Sequence, residues 1–275
     1  MLRVSVVAVS LFATLVVAAE DDRNNRARTL AREAYDALGA NRFEGDHVAA
    51  AARKIEAAMQ LNPKEAMAWT AASRLVWTIG YQHGDVFLHR NYEPGSVERA
   101  AELAEKAVAL DPAIPQAHAQ FARVLIALRR FPEAQRELAV AHKLDPEAFA
   151  PWYLQSISWW KQGNGAKSEI ALKGALQRAR TPIEKLAGNE QRSYIARSRG
   201  DLDEVERVHK ENLALLPNDA WVHGNYAGFL EGQQRYDEAF HEWQRAAALV
   251  PYPYAVQGVE RVGAIITRRK QQRAR

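Results

Sequence analysis

The chain has 275 residues, with 37 Lys and Arg against 33 Asp and Glu, a formal net charge of +4, and no cysteine. Without cysteine there are no disulfide staples, no lipid-modified N-terminal cysteine and no thiol nucleophile, so stability must come from packing. Five of the positive charges (Arg268, Arg269, Lys270, Arg273 and Arg275) crowd into the last eight residues. With Arg3 also set aside, the body holds 31 basic against 33 acidic residues, a net of −2. Such a body lacks the basic surplus needed to track a nucleic-acid backbone.

The first element is an N-terminal leader. Met1-Leu2-Arg3 precedes a run of apolar and small residues from Val4 to Ala19, and the chain turns acidic at Glu20, Asp21 and Asp22. One positive charge, an uncharged core and a Val17-Ala18-Ala19 ending predict a secretory signal peptide over residues 1–19. The run is shorter than the ~20 apolar residues of a spanning helix, which favours cleavage over a retained anchor. Export of a cysteine-free chain suits the bacterial periplasm or cell envelope. Residues 20–31 form a lead-in.

A recurring phrase then organises the chain. Leu61-Asn62-Pro63, Leu110-Asp111-Pro112, Leu144-Asp145-Pro146, Leu215-Leu216-Pro217 and Leu249-Val250-Pro251 each close an Ala-rich amphipathic stretch, with Arg180-Thr181-Pro182 in the remaining slot. Successive prolines lie 49, 34, 36, 35 and 34 residues apart. A nearly fixed period in this range predicts a repeat architecture with one helical hairpin per repeat.

In the interval ending at Pro146, the spacing of Ala117, Phe121, Val124, Leu125 and Leu128 predicts a helix from Gln116 to Leu128. Pro132 suits a first turn, a second helix runs from Glu133 to about Lys143, and Asp145-Pro146 stops it. Helices this short are marginal alone, so they must stack their apolar faces in series.

The 49-residue interval carries an insertion over residues 80–96, rich in aromatics at Tyr81, Phe87 and Tyr92 and closed by Pro94-Gly95. It reads either as a functional loop on a rigid scaffold or as a cover for neighbouring apolar surface. His83, Asp85 and His89 within it match no common metal-ligand spacing, so neither a metal nor any cofactor is expected. Beyond Pro251, Val256, Val259, Val262 and Ile266 predict a helix that caps the last apolar face, and residues 252–275 comprise this helix and the basic tail. The tail is either a solvated, mobile end or a weak contact with an anionic surface.

With these residues in hand, the chain resembles the tetratricopeptide repeat (TPR) family over residues 32–251. The matching positions are Tyr35, Leu38, Gly39, Ala51, Ala58 and Pro63 in the first repeat, and Trp69, Ala100, Ala107 and Pro112 in the second. Phe121, Ala122, Ala134, Ala141 and Pro146 mark the third; Trp152, Trp159, Ser168 and Ala175 mark the fourth. The fifth departs most, with Gly200 in its turn but Val205 and Asn212 where small residues belong. Tyr226, Ala227, Tyr236, Ala239, Ala246 and Pro251 restore the pattern in the sixth. The resemblance implies an all-α, right-handed α-solenoid of about six TPR-like hairpins with a C-terminal capping helix. Small residues at helix crossings allow close approach, and Trp69 and Trp152 are expected in the core.

In TPR proteins the first helix of each repeat lines a concave groove. Carried over by position, the groove here comprises Arg74, Trp77, Gln116, Gln120, Arg123, Tyr153, Trp160, Tyr194, Arg197 and Asn225, with Asp36 beside them. Arginines next to aromatic faces suit a protein or peptide partner with carboxylates and apolar anchors. The competing reading is internal, with Glu33 and Asp36 neutralising Arg74. The family's clamp for a chaperone C-terminus uses Lys and Asn, whereas Asp36, Ala40, Ala71, Gln116 and Gln120 stand at those positions, so that activity is not implied.

No enzyme chemistry emerges. Gly163-Asn164-Gly165-Ala166-Lys167-Ser168 fails the phosphate-loop pattern, because Ala166 separates the second glycine from the lysine. The eight histidines are scattered, and no serine lies in a nucleophile elbow. The expectation is an exported scaffold that binds a partner segment in its groove. Its alternative is a co-assembly subunit that docks on an envelope complex through its convex face, insertion or tail.

Overall fold

A computed structural model describes the backbone over residues 4–40, 45–80 and 95–273, and the side chains over 20–39, 47–80 and 95–273. The side chains of the predicted leader therefore lie outside the described residues. So do Tyr81, His83, Asp85, Phe87, His89 and Tyr92 of the insertion.

Among the described residues the fold is an all-α helical repeat of thirteen helices without strands. They are α1 (Val4–Ala40), α2 (Gly45–Leu61), α3 (Ala66–Gly80), α4 (Ser96–Leu110), α5 (Pro115–Ala127), α6 (Phe131–Leu144), α7 (Phe149–Lys161), α8 (Gly165–Arg178), α9 (Pro182–Ser198), α10 (Leu202–Leu215), α11 (Ala220–Gly232), α12 (Tyr236–Leu249) and α13 (Pro253–Arg273). Among the described residues no helix is long and apolar enough to cross a membrane. The chain divides into two compact units, up to Ser158 and from Trp159.

Local chemistry sets the helix boundaries. Pro115, Pro132 and Pro182 occupy first turns, where the missing N–H is not needed. Asn164, Thr181, Asp201 and Asp219 accept backbone N–H groups at the starts of α8, α9, α10 and α11. Within four hairpins the turn is the same motif. Arg130, Asn164, Asp201 and Arg235 each donate their backbone N–H to the carbonyl five residues back, at 2.8–3.0 Å. The residue before each one has positive φ: Arg129, Gly163, Gly200 and Gln234. This is a Schellman closure, and two of its four left-handed positions lack glycine.

In the first unit α1 pairs with α2, α3 with α4 and α5 with α6. Ala51, Ala58, Ala100, Ala107, Ala134 and Ala141 are buried at the crossings, where larger side chains would hold the helices apart. In the second unit α9 pairs with α10, and α11 with α12, while α13 packs on α12. The fifth hairpin closes on Val205 and on Asn212, which is buried against Asn189.

The cap differs in detail from expectation. α13 buries Ala255, Gly258 and Val262, while Val256 is exposed. Trp243 of α12 fills the space beside Gly258, and Val259 and Ile266 pack against the same core as Val262. The basic residues from Arg268 to Arg273 continue this helix, and Arg269 lies over the Tyr236 ring at 4.2 Å.

Trp69 and Trp152 are half-buried, and Trp69 packs against the core of the first helices. An indole N–H needs an acceptor, and each finds the carbonyl of the turn proline six residues earlier, Pro63 at 2.9 Å and Pro146 at 3.3 Å. The ring is thereby held along the turn.

Candidate functional site

In the first unit, α3 and α5 repeat one arrangement. Arg74 on α3 lies over the Tyr35 ring of α1, 4.5 Å from its centre, with its guanidinium against Gly39. Arg123 on α5 lies over the Trp77 ring of α3 at 5.4 Å. Each first helix thus sets an arginine on an aromatic of the preceding first helix, a stack worth about 0.5–2 kcal/mol depending on exposure. Glu33 pairs with Lys54 at 2.7 Å rather than with Arg74.

Gln116 is half-buried at the start of α5. Gln120 is fully buried and donates to Ser73 Oγ at 3.3 Å; Ser73 in turn donates to the Ala100 carbonyl at 2.7 Å. Gln120 therefore belongs to the packing among α3, α4 and α5, and no partner can touch it. One step of helical register separates groove from interior, and Gln120 falls on the inner side. Tyr153 stacks on Phe149, with centres 5.2 Å apart.

In the second unit, Trp160 and Tyr194 bring their rings to 6.2 Å. Arg197 is exposed and Asn225 half-buried. Arg197 also helps hold the His209 pKa down. Burial is the main cause, and together they lower it to about 4. His209 lies against the Tyr226 and Phe229 rings at 5.7 and 5.2 Å.

Other polar groups escaped the sequence reading. His118 meets Glu137 at 2.6 Å through Nδ1 and the Pro112 carbonyl at 2.9 Å through Nε2. His223 repeats this with Glu242 at 2.6 Å and the Pro217 carbonyl at 3.0 Å. At His118 the carbonyl accepts only, so Nε2 carries a proton, and the Glu137 carboxylate at Nδ1 then favours the imidazolium form. The hydrogen bond to Glu137 raises the His118 pKa above its ordinary value, against the opposing effect of burial. The signal was present: both histidines fall six residues after a turn proline and nineteen before a glutamate.

Arg235 holds Glu238 through Nε at 2.7 Å and Glu206 at 2.7 Å. The hydrogen bonds from Arg235 and then Lys210 bring the Glu206 pKa down to about 2. Burial, helped by the Glu206 charge, pushes Tyr226 up to about 12. These are ion pairs between the start of α12 and the middle of α10. Among the described residues no group of three His, Asp or Glu side chains is arranged to hold a metal.

A cleft of about 700 Å³ opens among α8, α9 and α10, lined in part by Leu172, Leu176, Ile195 and Ala196. It contains none of the predicted groove residues.

Residues 92–157 match the family model of the tetratricopeptide repeat. No curated protein matches the chain in sequence. Among solved structures, the chain is similar to a thermophilic TPR protein of Thermus thermophilus, at 22% identity and a TM-score of 0.57, covering 73% of this chain and 98% of that one. The fold is a TPR-type helical repeat. PilW, a widely conserved type IV pilus biogenesis factor, aligns at 18% identity and a TM-score of 0.57, over 86% of this chain and 97% of its own. PilF of Pseudomonas aeruginosa aligns at 19% identity and a TM-score of 0.53, over 76% and 87%. At such identities the likeness concerns the fold, on which unrelated functions can be grafted.

Proposed function

We propose that this chain is an exported scaffold of the cell envelope that holds a partner protein by an extended segment laid across the first helices of its hairpins. The observation that carries the reading is the repeated arginine-on-aromatic stack, Arg74 on Tyr35 and Arg123 on Trp77. A guanidinium stacked on a ring keeps its in-plane fork of N–H donors, which matches a carboxylate bidentately, while the rings offer apolar contact. Two successive hairpins repeat this chemistry, which suits an extended acidic and apolar segment. Gln116 and Tyr153 extend the proposed surface in the first unit. Trp160, Tyr194, Arg197 and Asn225 form the corresponding set in the second.

Export rests on the leader-like residues 1–19 and the absence of cysteine. The fold shared with a pilus biogenesis factor supports an envelope setting. The reading assigns the chain a binding role without catalysis or cofactor.

The test is capture by crosslinking in the native envelope, followed by pull-down with the wild-type chain and with Arg74→Glu/Arg123→Glu. The reversal should abolish capture while circular dichroism stays helical. Unchanged capture overturns the groove. N-terminal sequencing of exported chain should begin at Glu20; recovery of Met1 overturns cleavage.

A further inference from the structure

α13 changes character along its length. Val259, Val262 and Ile266 pack on the core of the second unit. Counted on in steps of three and four, the same helix face reaches Arg269, Lys270 and Arg273, so an apolar stripe becomes a basic one. Arg269 still rests on Tyr236, the first residue of α12, at 4.2 Å. From Thr267 to Arg273 every residue is exposed, about 10 Å of helix without apolar support.

The charges on this stretch are not neutralised. Nearby arginines have carboxylate partners: Arg261 holds Glu231 at 2.7 Å, and Arg235 holds Glu206 and Glu238 at 2.7 and 2.6 Å. Glu260 is the last acidic residue of the sequence, and among the described residues no ion pair reaches Arg268, Arg269, Lys270 or Arg273. The helix dipole accounts for Lys270 and Arg273 in the last turn, since its effect fades within one turn. It does not call for Arg268 and Arg269, and Arg269 and Arg273, four residues apart, repel each other.

We infer that this stretch of α13 docks on an anionic lipid bilayer, with its basic side chains among the headgroup phosphates. Charge complementarity selects that occupant. At 3.6 residues per turn, Arg268, Arg269, Arg273 and Lys270 spread over an arc of about 200° around the helix. A folded protein partner touches one face of such a helix, whereas a fluid headgroup layer closes round all four cations. The body of the chain, at a net of −2, is repelled by the same surface, so the contact is confined to this helix. The inference is independent of the groove reading, which uses other helices.

Co-sedimentation of the whole chain with vesicles tests this, using phosphatidylcholine alone and phosphatidylcholine with about 30% phosphatidylglycerol. Binding should need the anionic lipid and should weaken as salt rises from about 0.05 to about 0.5 M. A basic residue near such a surface contributes about fivefold, so Arg268→Gln/Lys270→Gln/Arg273→Gln should weaken binding about a hundredfold. These side chains are exposed and Arg269 keeps its ring contact, so helicity and melting should not change. Arg268→Lys/Arg273→Lys should bind like wild type, because a diffuse surface reads charge and not the guanidinium fork. Equal binding to both kinds of vesicle overturns the inference and places attachment on the apolar leader. Anionic binding that the triple variant leaves unchanged overturns it too. So does an absence of binding, which would leave the cluster to an acidic protein.

Discussion

Asn189 donates its side-chain amide to Asn212 Oδ1 at 2.8 Å inside the fifth hairpin. Along the repeat, Asn189 holds the slot of Trp69, His118, Trp152 and His223, and Asn212 the slot of Ala107, Ala141, Ala175 and Ala246. The other hairpins set a ring N–H on a turn carbonyl and close on a small residue. Here a polar pair does both jobs inside the packing.

That exchange makes the consensus residue harmful in isolation. Asn212→Ala would leave the Asn189 amide buried without its acceptor, a cost of about 1–3 kcal/mol. The urea midpoint should fall. Asn189→Ala/Asn212→Ala, which removes both amides, should recover part of the loss. A double variant no better than the single would show that the amide pair is not the cause.

Two histidines should respond to pH in opposite senses. The folded pKa of His118 is raised by Glu137, so its contribution is fully present below the ordinary histidine value and lost as pH rises through the folded value. Glu137→Gln should flatten this alkaline decline, read as urea midpoints between about pH 5 and pH 9. His209 is held down to about 4 by burial, and its Nε2 has no hydrogen-bond partner. Its contribution is present above the ordinary value and is lost as pH falls through about 4. His209→Leu should flatten that acid decline and leave the alkaline one intact.

The turns offer a stabilising change. Arg129 and Gln234 sit at φ 60 and 58, where Gly163 and Gly200 serve the other hairpins. A left-handed L-residue costs roughly 1–2 kcal/mol, more than the entropy glycine adds to the unfolded chain. Arg129→Gly and Gln234→Gly should each raise stability by about 0.5–1 kcal/mol. Gly200→Ala should lower it by about 1 kcal/mol or more. Thermal melts of the three variants against wild type decide the signs.

Gly258 is the tightest point of the cap. A Cβ there would lie 2.4 Å from Trp243 Cδ2, and the indole is fully buried. Alanine is better than glycine in a helix by about 1 kcal/mol, but overpacking costs about 1–3 kcal/mol. Gly258→Ala should therefore destabilise, with α13 amides exchanging faster with deuterium. Unchanged exchange would mean that the indole can move aside.

How much was legible depended on the physics behind each feature. Helix bounds were readable because prolines and capping residues act locally: the predicted helix from Gln116 to Leu128 is α5, Pro115–Ala127. The crossing alanines were readable because they recur at the repeat period. Gln120 was misread as groove because helical periodicity gives the angle between residues and not the zero of that angle. Trp69 and Trp152 are only half-buried because each indole donor reaches a turn carbonyl, a demand that apolarity alone does not foresee.

The order of residues alone settled that this chain is a series of short helices in hairpins, since period, proline stops and alanine crossings are each properties of a few neighbouring residues. Tertiary structure decided what faces what: Arg74 over Tyr35, His118 on Glu137, Gln120 inside, and a cleft among α8, α9 and α10. Those outcomes rest on contacts between helices. Their rotation is set by the packing of all the side chains between them, which no local pattern encodes.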